Sequence, residues 1–149
     1  MRIEECINTV DSQKPNQYST DDKVRWLSVL DAKIKSDIID MYEQPVPVED
    51  TKIVILEEGE EIPEEEEETG DFTGYTPYDM AKELLVPFPH DELYVAYLKA
   101  KIDEANGEGA RYNNSASTFN SLLLDFEKHY NKTHTPKRRG LKIFKGVHI

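Results

Sequence analysis

Residues 91–133 read DELYVAYLKAKIDEANGEGARYNNSASTFNSLLLDFEKHYNKT, and this stretch decides the fold class. Apolar residues recur every three or four positions on both sides of Asn106-Gly107, a spacing typical of amphipathic helices. Asn-Gly is a helix C-terminal signal, because glycine adopts the left-handed conformation without strain. We predict one helix over about 91–106, with Asp91 as its N-cap, and a second helix over about 109–132. They form either an antiparallel αα-hairpin, which we favour, or one long kinked helix.

The residues before this hairpin predict two more helices. Residues 2–11 carry apolar side chains at helical spacing and predict a short amphipathic helix. Ser19 followed by Asp22 resembles a capping box, and the apolar series from Val24 to Ile38 predicts a second helix over about 20–42. Its charged residues are expected on the side away from the core: Asp21, Lys23, Lys33, Lys35 and Asp37.

Residues 46–76 interrupt the helical pattern. Lys52 to Leu56 is short, apolar and β-branched, and Phe72 to Tyr75 offers a second short strand, so the interval predicts an inserted β-hairpin-like excursion. Thr76-Pro77 indicates a one- or two-turn helix over 77–85, and residues 84–89 read as an extended apolar linker. The tip of the excursion is a glutamate block, expected to be a solvated loop: Glu57, Glu58, Glu60, Glu61, Glu64, Glu65, Glu66, Glu67 and Glu68.

Charge is distributed unevenly along the 149 residues. The chain has 30 acidic and 18 basic residues, a net charge of -12, yet its last 22 residues carry seven bases and no acid. The first 127 residues therefore carry -19, and such a body repels nucleic-acid phosphates. Residues 134–149 predict an extended basic arm that docks on another chain, through Lys137, Arg138, Arg139, Leu141, Lys142, Ile143, Phe144, Lys145, Val147 and Ile149.

Composition excludes several protein classes. A single cysteine, Cys6, rules out an internal disulfide framework and a cysteine-based zinc site. No apolar run approaches the ~18 residues of a membrane span, and the N-terminus has no signal-peptide pattern, so we expect a soluble, intracellular protein without membrane contact. The expected organisation is one helical domain over 1–133 followed by the arm over 134–149.

No residue pattern indicates catalysis. His129 and His134 are five residues apart and do not share a helix face, Cys6 falls on an apolar stripe, and the glycines form no phosphate-binding loop. We therefore expect a protein that is not an enzyme, with no catalytic residue, no metal and no cofactor. Aromatic and amide residues near the hairpin suggest packing in the core or between subunits, with tyrosine hydroxyls at the rim. The candidate subunit-interface residues are Tyr94, Tyr97, Arg111, Tyr112, Asn113 and Asn114.

Two blocks of the chain, about 10–42 and 83–136, resemble a known family. The residues that carry the resemblance are Val10-Asp11, Lys14-Pro15-Asn16, Tyr18, Lys23, Trp26-Leu27, Leu30-Asp31, Glu83-Leu84-Leu85-Val86-Pro87, Asp91-Glu92-Leu93-Tyr94, Ile102-Asp103, Ala105-Asn106-Gly107-Glu108, Arg111-Tyr112-Asn113-Asn114-Ser115, Phe119-Asn120 and Tyr130-Asn131-Lys132-Thr133-His134. With them the chain resembles the head-tail connector, or adaptor, proteins encoded among the head genes of tailed phages and prophages of Firmicutes. The glutamate block and the long segment after Pro136 depart from that pattern.

The resemblance implies a structural virion protein. It implies a helical adaptor that assembles as a ring, typically of twelve copies, below the portal protein in the neck of the particle. Such a ring extends the DNA channel, contacts the next neck protein and passes DNA without sequence-specific binding. Two other classes stay open on sequence alone: an acidic DNA-mimic inhibitor of a host nucleic-acid enzyme, and an assembly chaperone that is absent from the mature virion.

Overall fold

A computed structural model describes residues 1–44 and 72–137 of the protein. Within these ranges the chain forms α1 (Ile3–Gln13), α2 (Thr20–Asp37), α3 (Glu92–Ala105) and α4 (Gly109–Thr133), and no β-strand is present there. A single 3-10 turn, Ile39–Met41, follows α2. The prediction of a mainly α protein, a small bundle of about four helices, is confirmed.

Helices α3 and α4 form the antiparallel hairpin that the sequence favours. The Tyr97 ring on α3 lies 5.1 Å from the Phe119 ring on α4, and nearer the turn the Ser115 hydroxyl donates to Asp103 at 2.8 Å. The turn depends on Gly107, whose φ is +72°. A side chain is strained in this left-handed conformation, whereas glycine adopts it freely.

The core lies where α1 and α2 pack against α3. Each helix contributes one apolar stripe, and α4 adds Phe126 and Tyr130 near its C-terminal end. The N-terminus of α2 is capped as predicted, since the Ser19 hydroxyl accepts from the Asp22 N–H at 3.2 Å. Asp91 occupies the N-cap position of α3, but its side chain caps no N–H there. Instead, its carboxylate lies 3.2 Å from the Met1 amino group.

The segment between α2 and α3 differs from the prediction. No helix forms over 77–85, because the Asp79 carboxylate accepts from the Thr76 N–H at 2.8 Å and closes a turn. The backbone then runs past the start of α1, where the Ile3 N–H donates to the Lys82 carbonyl at 3.1 Å and the Leu84 N–H to the Met1 carbonyl at 3.0 Å. The Glu4 N–H also donates to the Met80 carbonyl at 3.0 Å. The start of α1 therefore satisfies the Met80 carbonyl and the Leu84 N–H, which a helix over 77–85 would have paired with each other.

The predicted strand over 72–75 is also wrong. Residues 72–75 have no strand structure; Gly74 has a φ of +101°, and the Tyr75 N–H donates to the Ser28 hydroxyl at 2.8 Å. The Tyr75 N–H thus bonds to a side chain on α2 and not to the backbone of a neighbouring strand. The other part of the predicted excursion, residues 46–71, lies outside the described residues.

The two glycines that flank the start of α4 give a matched test of the hairpin turn. A Cβ added at Gly107 or at Gly109 meets no atom within 4 Å, but only Gly107 has a positive φ. We expect Gly107→Ala to lower the free energy of unfolding by about 1 kcal/mol through backbone strain alone. The control Gly109→Ala should be neutral or stabilising, as measured by urea denaturation followed by circular dichroism. Equal effects of the two substitutions would contradict this account of the turn.

Cys6 is predicted to be inert in the folded protein. Its side chain is fully buried, and burial raises the pKa of the thiol to about 12. Because the thiolate is the reactive form, alkylation by iodoacetamide at pH 8 should be about a thousand-fold slower than for an ordinary thiol. Intact-mass measurement should show rapid labelling only after guanidinium is added. Rapid labelling of the native protein would show that α1 does not hold Cys6 in the core.

Candidate functional site

Asp31 lies on α2 with no exposed surface, inside the apolar core. Its Oδ1 accepts from the Tyr94 hydroxyl at 2.5 Å. Its Oδ2 accepts from the Leu85 N–H at 3.2 Å and from the Tyr75 hydroxyl. Tyr94 in turn accepts from the Val86 N–H at 2.9 Å. One carboxylate therefore joins α2, α3 and the segment between them.

The environment of Asp31 shifts three pKa values upward. Burial raises the pKa of Asp31 and outweighs the hydrogen bonds from Tyr75, Tyr94 and Leu85, which lower it. Burial and the adjacent carboxylate raise the pKa of the Tyr94 hydroxyl, and the same two causes act on Tyr75. Since the folded protein holds the Asp31 proton more tightly than the unfolded chain, this group favours folding less as pH rises above its ordinary pKa of 3.8.

Asp103 forms a second buried polar cluster at the other end of α3. Its Oδ1 pairs with the Lys14 ammonium, and its Oδ2 accepts from the Ser115 hydroxyl at 2.8 Å. Nearby, the Tyr18 hydroxyl donates to the Asn106 side chain at 2.7 Å. The cluster fixes the loop after α1 to both arms of the hairpin.

Lys23 corrects a sequence expectation. Its charge predicts a position on the exposed side of α2, but in the structure Lys23 is only 2% exposed. Its ammonium lies 2.5 Å from Asp11 Oδ1. A lysine can bury its alkyl stem against apolar neighbours while its ammonium pairs with a carboxylate at the surface.

Sequence reasoning gave Asp31 and Asp103 no role of their own, although one signal was present. Asp31 is four residues after Leu27 and three before Ile34, so it falls within the apolar stripe of α2. An ionisable residue within such a stripe requires hydrogen-bond partners from other elements. Periodicity identifies such a position, but it cannot identify the partners.

The structure separates the six candidate interface residues. Tyr94 is in the core with its hydroxyl on Asp31, so the expectation that it contacts another subunit, with its hydroxyl at the rim, is wrong. Tyr97 is half-buried against Phe119. The other four side chains are exposed on the first turns of α4 and stay interface predictions: Arg111, Tyr112, Asn113 and Asn114.

Three of the four histidines, His90, His129 and His134, lie at the C-terminal end of α4 or beside it. The His90 ring lies 4.8 Å from the His129 ring, and His134 stacks on Tyr130 with 3.7 Å between ring centres. Within residues 1–44 and 72–137, no three His, Cys, Asp or Glu side chains converge as a metal site would require. The stacked geometry indicates packing in this part of the chain.

Only the beginning of the predicted arm lies among the described residues. The Lys137 N–H donates to the Met41 carbonyl at 3.0 Å, and the Glu43 N–H donates to the Thr135 carbonyl at 2.7 Å. Residues 135–137 therefore pair with the segment that follows α2. The remaining docking residues of the arm, 138–149, and the whole glutamate block lie outside the described residues.

A groove runs between α2 and the hairpin, and we call it the α2–α4 groove. Its first half is a cavity of about 190 Å³, and its second half, of about 220 Å³, shares Lys33, Tyr97 and Phe119 with the first. Apolar side chains form the floor of the first half: Leu30, Ile34, Ile38, Tyr97, Phe119 and Leu123. The second half is mixed, because Lys101, Glu104 and Asn120 line it together with Ala100 and Ala116. A cavity of about 470 Å³ lies on the other side of α3, beside α1, and includes Val95, Lys99 and Leu122.

None of the helices in the described ranges is both long and apolar enough to cross a membrane. Comparisons with protein-family models, with curated proteins and with solved structures found no match.

Replacing Asp31 tests the central polar contact. Asp31→Ala leaves two tyrosine hydroxyls and the Leu85 N–H without their acceptor, and we expect it to lower the free energy of unfolding by about 3 kcal/mol or more. Asp31→Asn keeps one acceptor oxygen and should cost less. The control Asp125→Ala, exposed on α4, should change stability by less than about 0.5 kcal/mol. If denaturation curves gave Asp31→Ala the same free energy of unfolding as this control, the role assigned to Asp31 would be refuted.

Proposed function

We propose that this chain is a structural subunit of a phage neck: a head-tail connector that assembles as a ring below the portal protein and extends the DNA channel. It works without catalysis, metal or cofactor. Its partners are further copies of itself, the portal protein and the next neck protein. It is present in the host cytoplasm during assembly and in the virion afterwards.

One observation carries this proposal. The residues on which the connector resemblance rests are distant in sequence, yet many are hydrogen-bond partners in the fold. Asp31 in the first block binds Leu85 and Tyr94 in the second, and Lys14 pairs with Asp103. The Tyr18 hydroxyl of the first block likewise donates a hydrogen bond to the Asn106 side chain of the second. The resemblance thus covers the polar contacts that join the two blocks into one body, which supports a shared adaptor fold and, through it, a shared role.

The charge distribution agrees with a channel component. Twelve of the 30 acidic residues fall in the segment 45–71, and four of the 18 basic residues fall in 138–149. In this proposal the glutamate block, Glu57 to Glu68, faces either the channel lumen or the next neck protein. Acidic groups repeated around a ring repel the duplex and prevent it from adhering during ejection. Attachment then falls to the basic, half-apolar arm, because many identical weak contacts around one ring raise the effective affinity.

Particle composition tests the connector role. The protein should be present in purified virions at the copy number of one ring, about twelve per particle, as counted by quantitative mass spectrometry against the portal protein. Negative-stain images of the chain mixed with its portal should show a ring on one end of the portal. Absence from mature virions would exclude the connector and favour the assembly chaperone.

A DNA-mimic inhibitor predicts a different result. Such a protein would also be absent from the particle, but it would compete with duplex DNA for a nucleic-acid enzyme of the host. A competition assay with labelled duplex therefore distinguishes it from a chaperone. A ring bound to portal together with a full virion copy number would contradict both rivals.

A further inference from the structure

We propose that the α2–α4 groove is the docking site of the chain's own C-terminal segment, residues 138–149, in the unassembled protein. The groove is open in the free body, apolar in its first half and mixed in its second, and the occupant is a segment of the same copy. This contact is independent of the connector role, and each can fail without the other.

The position of Lys137 places this segment at one end of the groove. The Lys137 N–H donates to the carbonyl of Met41, three residues after Ile38 on the groove floor. Glu127 lines the same end from α4, one turn before Tyr130, whose ring lies 5.1 Å from that of Tyr42. The chain therefore leaves the described body beside the entrance to the groove.

The length of the segment suits the groove. From Glu127 to Tyr112, the α4 residues that line its two halves span about 22 Å at the helical rise. Twelve extended residues reach about 40 Å, so residues 138–149 can run the whole groove with several residues to spare. Attachment to the same body also gives the segment a millimolar effective concentration, well above that of a second copy in dilute solution.

The side chains of the segment complement those of the groove. Five apolar side chains of the segment cover the groove floor on the side that is otherwise open to solvent. They are Leu141, Ile143, Phe144, Val147 and Ile149. The segment has four bases and no acid.

The entrance carries the opposite charge. Asp37 and Glu127 line it together with Lys33, and neither acid takes part in an ion pair among the described residues. When the segment enters the groove, Arg138 and Arg139 are the first of its residues to lie beside Asp37 and Glu127. Farther along, Lys101 and Glu104 pair with each other at 3.5 Å, so the inner half of the groove adds no net charge from this pair.

Paramagnetic broadening in the full-length protein tests the contact. A nitroxide is attached at Lys142→Cys, which lies about 16 Å beyond Lys137 in an extended segment and therefore within the groove. Labelling is done under native conditions, where Cys6 is buried, and intact mass verifies a single label. Methyl signals of Ile34, Ile38 and Leu123 in the groove should broaden more than those of Val95 and Leu122 on the other side of α3. Equal broadening on both sides, or none, would overturn the proposal.

A mixing control identifies which copy the segment occupies. Spin-labelled chains without methyl isotopes are combined with methyl-labelled chains without the nitroxide. Same-chain docking predicts no broadening in this mixture. Broadening of the groove signals here would place the segment in a second copy and overturn the same-chain contact.

Charge variants separate docking from chance proximity. Asp37→Asn combined with Glu127→Gln should lower the docked-to-free ratio about threefold, since two surface ion pairs are lost. Asp125→Asn, on the solvent side of α4, is the matched control and should leave the broadening unchanged. Equal responses of the two variants would show that the entrance acids do not bind the segment.

Discussion

The burial of Asp31 is the constraint on which the rest of the structure depends. A carboxylate in an apolar core is costly unless hydrogen bonds compensate it, so the fold must bring donors to that point. Tyr94 arrives from α3, while Tyr75 and the Leu85 N–H arrive from a segment without regular structure. Satisfying this one group therefore fixes how residues 75–86 cross the bundle. The second carboxylate, Asp103, does the same for the hairpin and the loop after α1.

These contacts explain how a chain with so much charge forms a compact body. The described ranges carry 18 acids and 13 bases, and the buried acids Asp31, Asp91 and Asp103 each have a partner from a distant part of the chain. Much of the remaining charge is segregated into 45–71 and 138–149, away from the packed helices in sequence. The segment 45–71 joins the bundle at residues 44 and 72, and the segment 138–149 joins it at residue 137.

Sequence reasoning succeeded where one local period decides the structure and failed where a distant partner decides it. The helices and the Gly107 turn follow from apolar spacing and from the conformational freedom of glycine. The short helix over 77–85 did not form, because Asp79 and the start of α1 offered its backbone other partners. Tyr94 was expected at a surface because tyrosine carries a polar hydroxyl, yet Asp31 allows that hydroxyl to be buried. Lys23 was misplaced for the same reason, since Asp11 supplies its partner.

The sequence by itself determined the helical class, the break between two helices at Asn106-Gly107 and the separation of an acidic segment from a basic one. Each of these is local, because helical periodicity, a turn glycine and a run of like charge act between near neighbours in the chain. The sequence favoured the hairpin over one kinked helix, and the contacts between α3 and α4 decided between them. Only the tertiary structure decided that Asp31 and Asp103 are structural, that Tyr94 is internal and that an open groove with an apolar first half begins beside Lys137. Those outcomes depend on groups far apart in the chain, Asp31 with Tyr94 and Lys14 with Asp103, whose meeting no local pattern encodes.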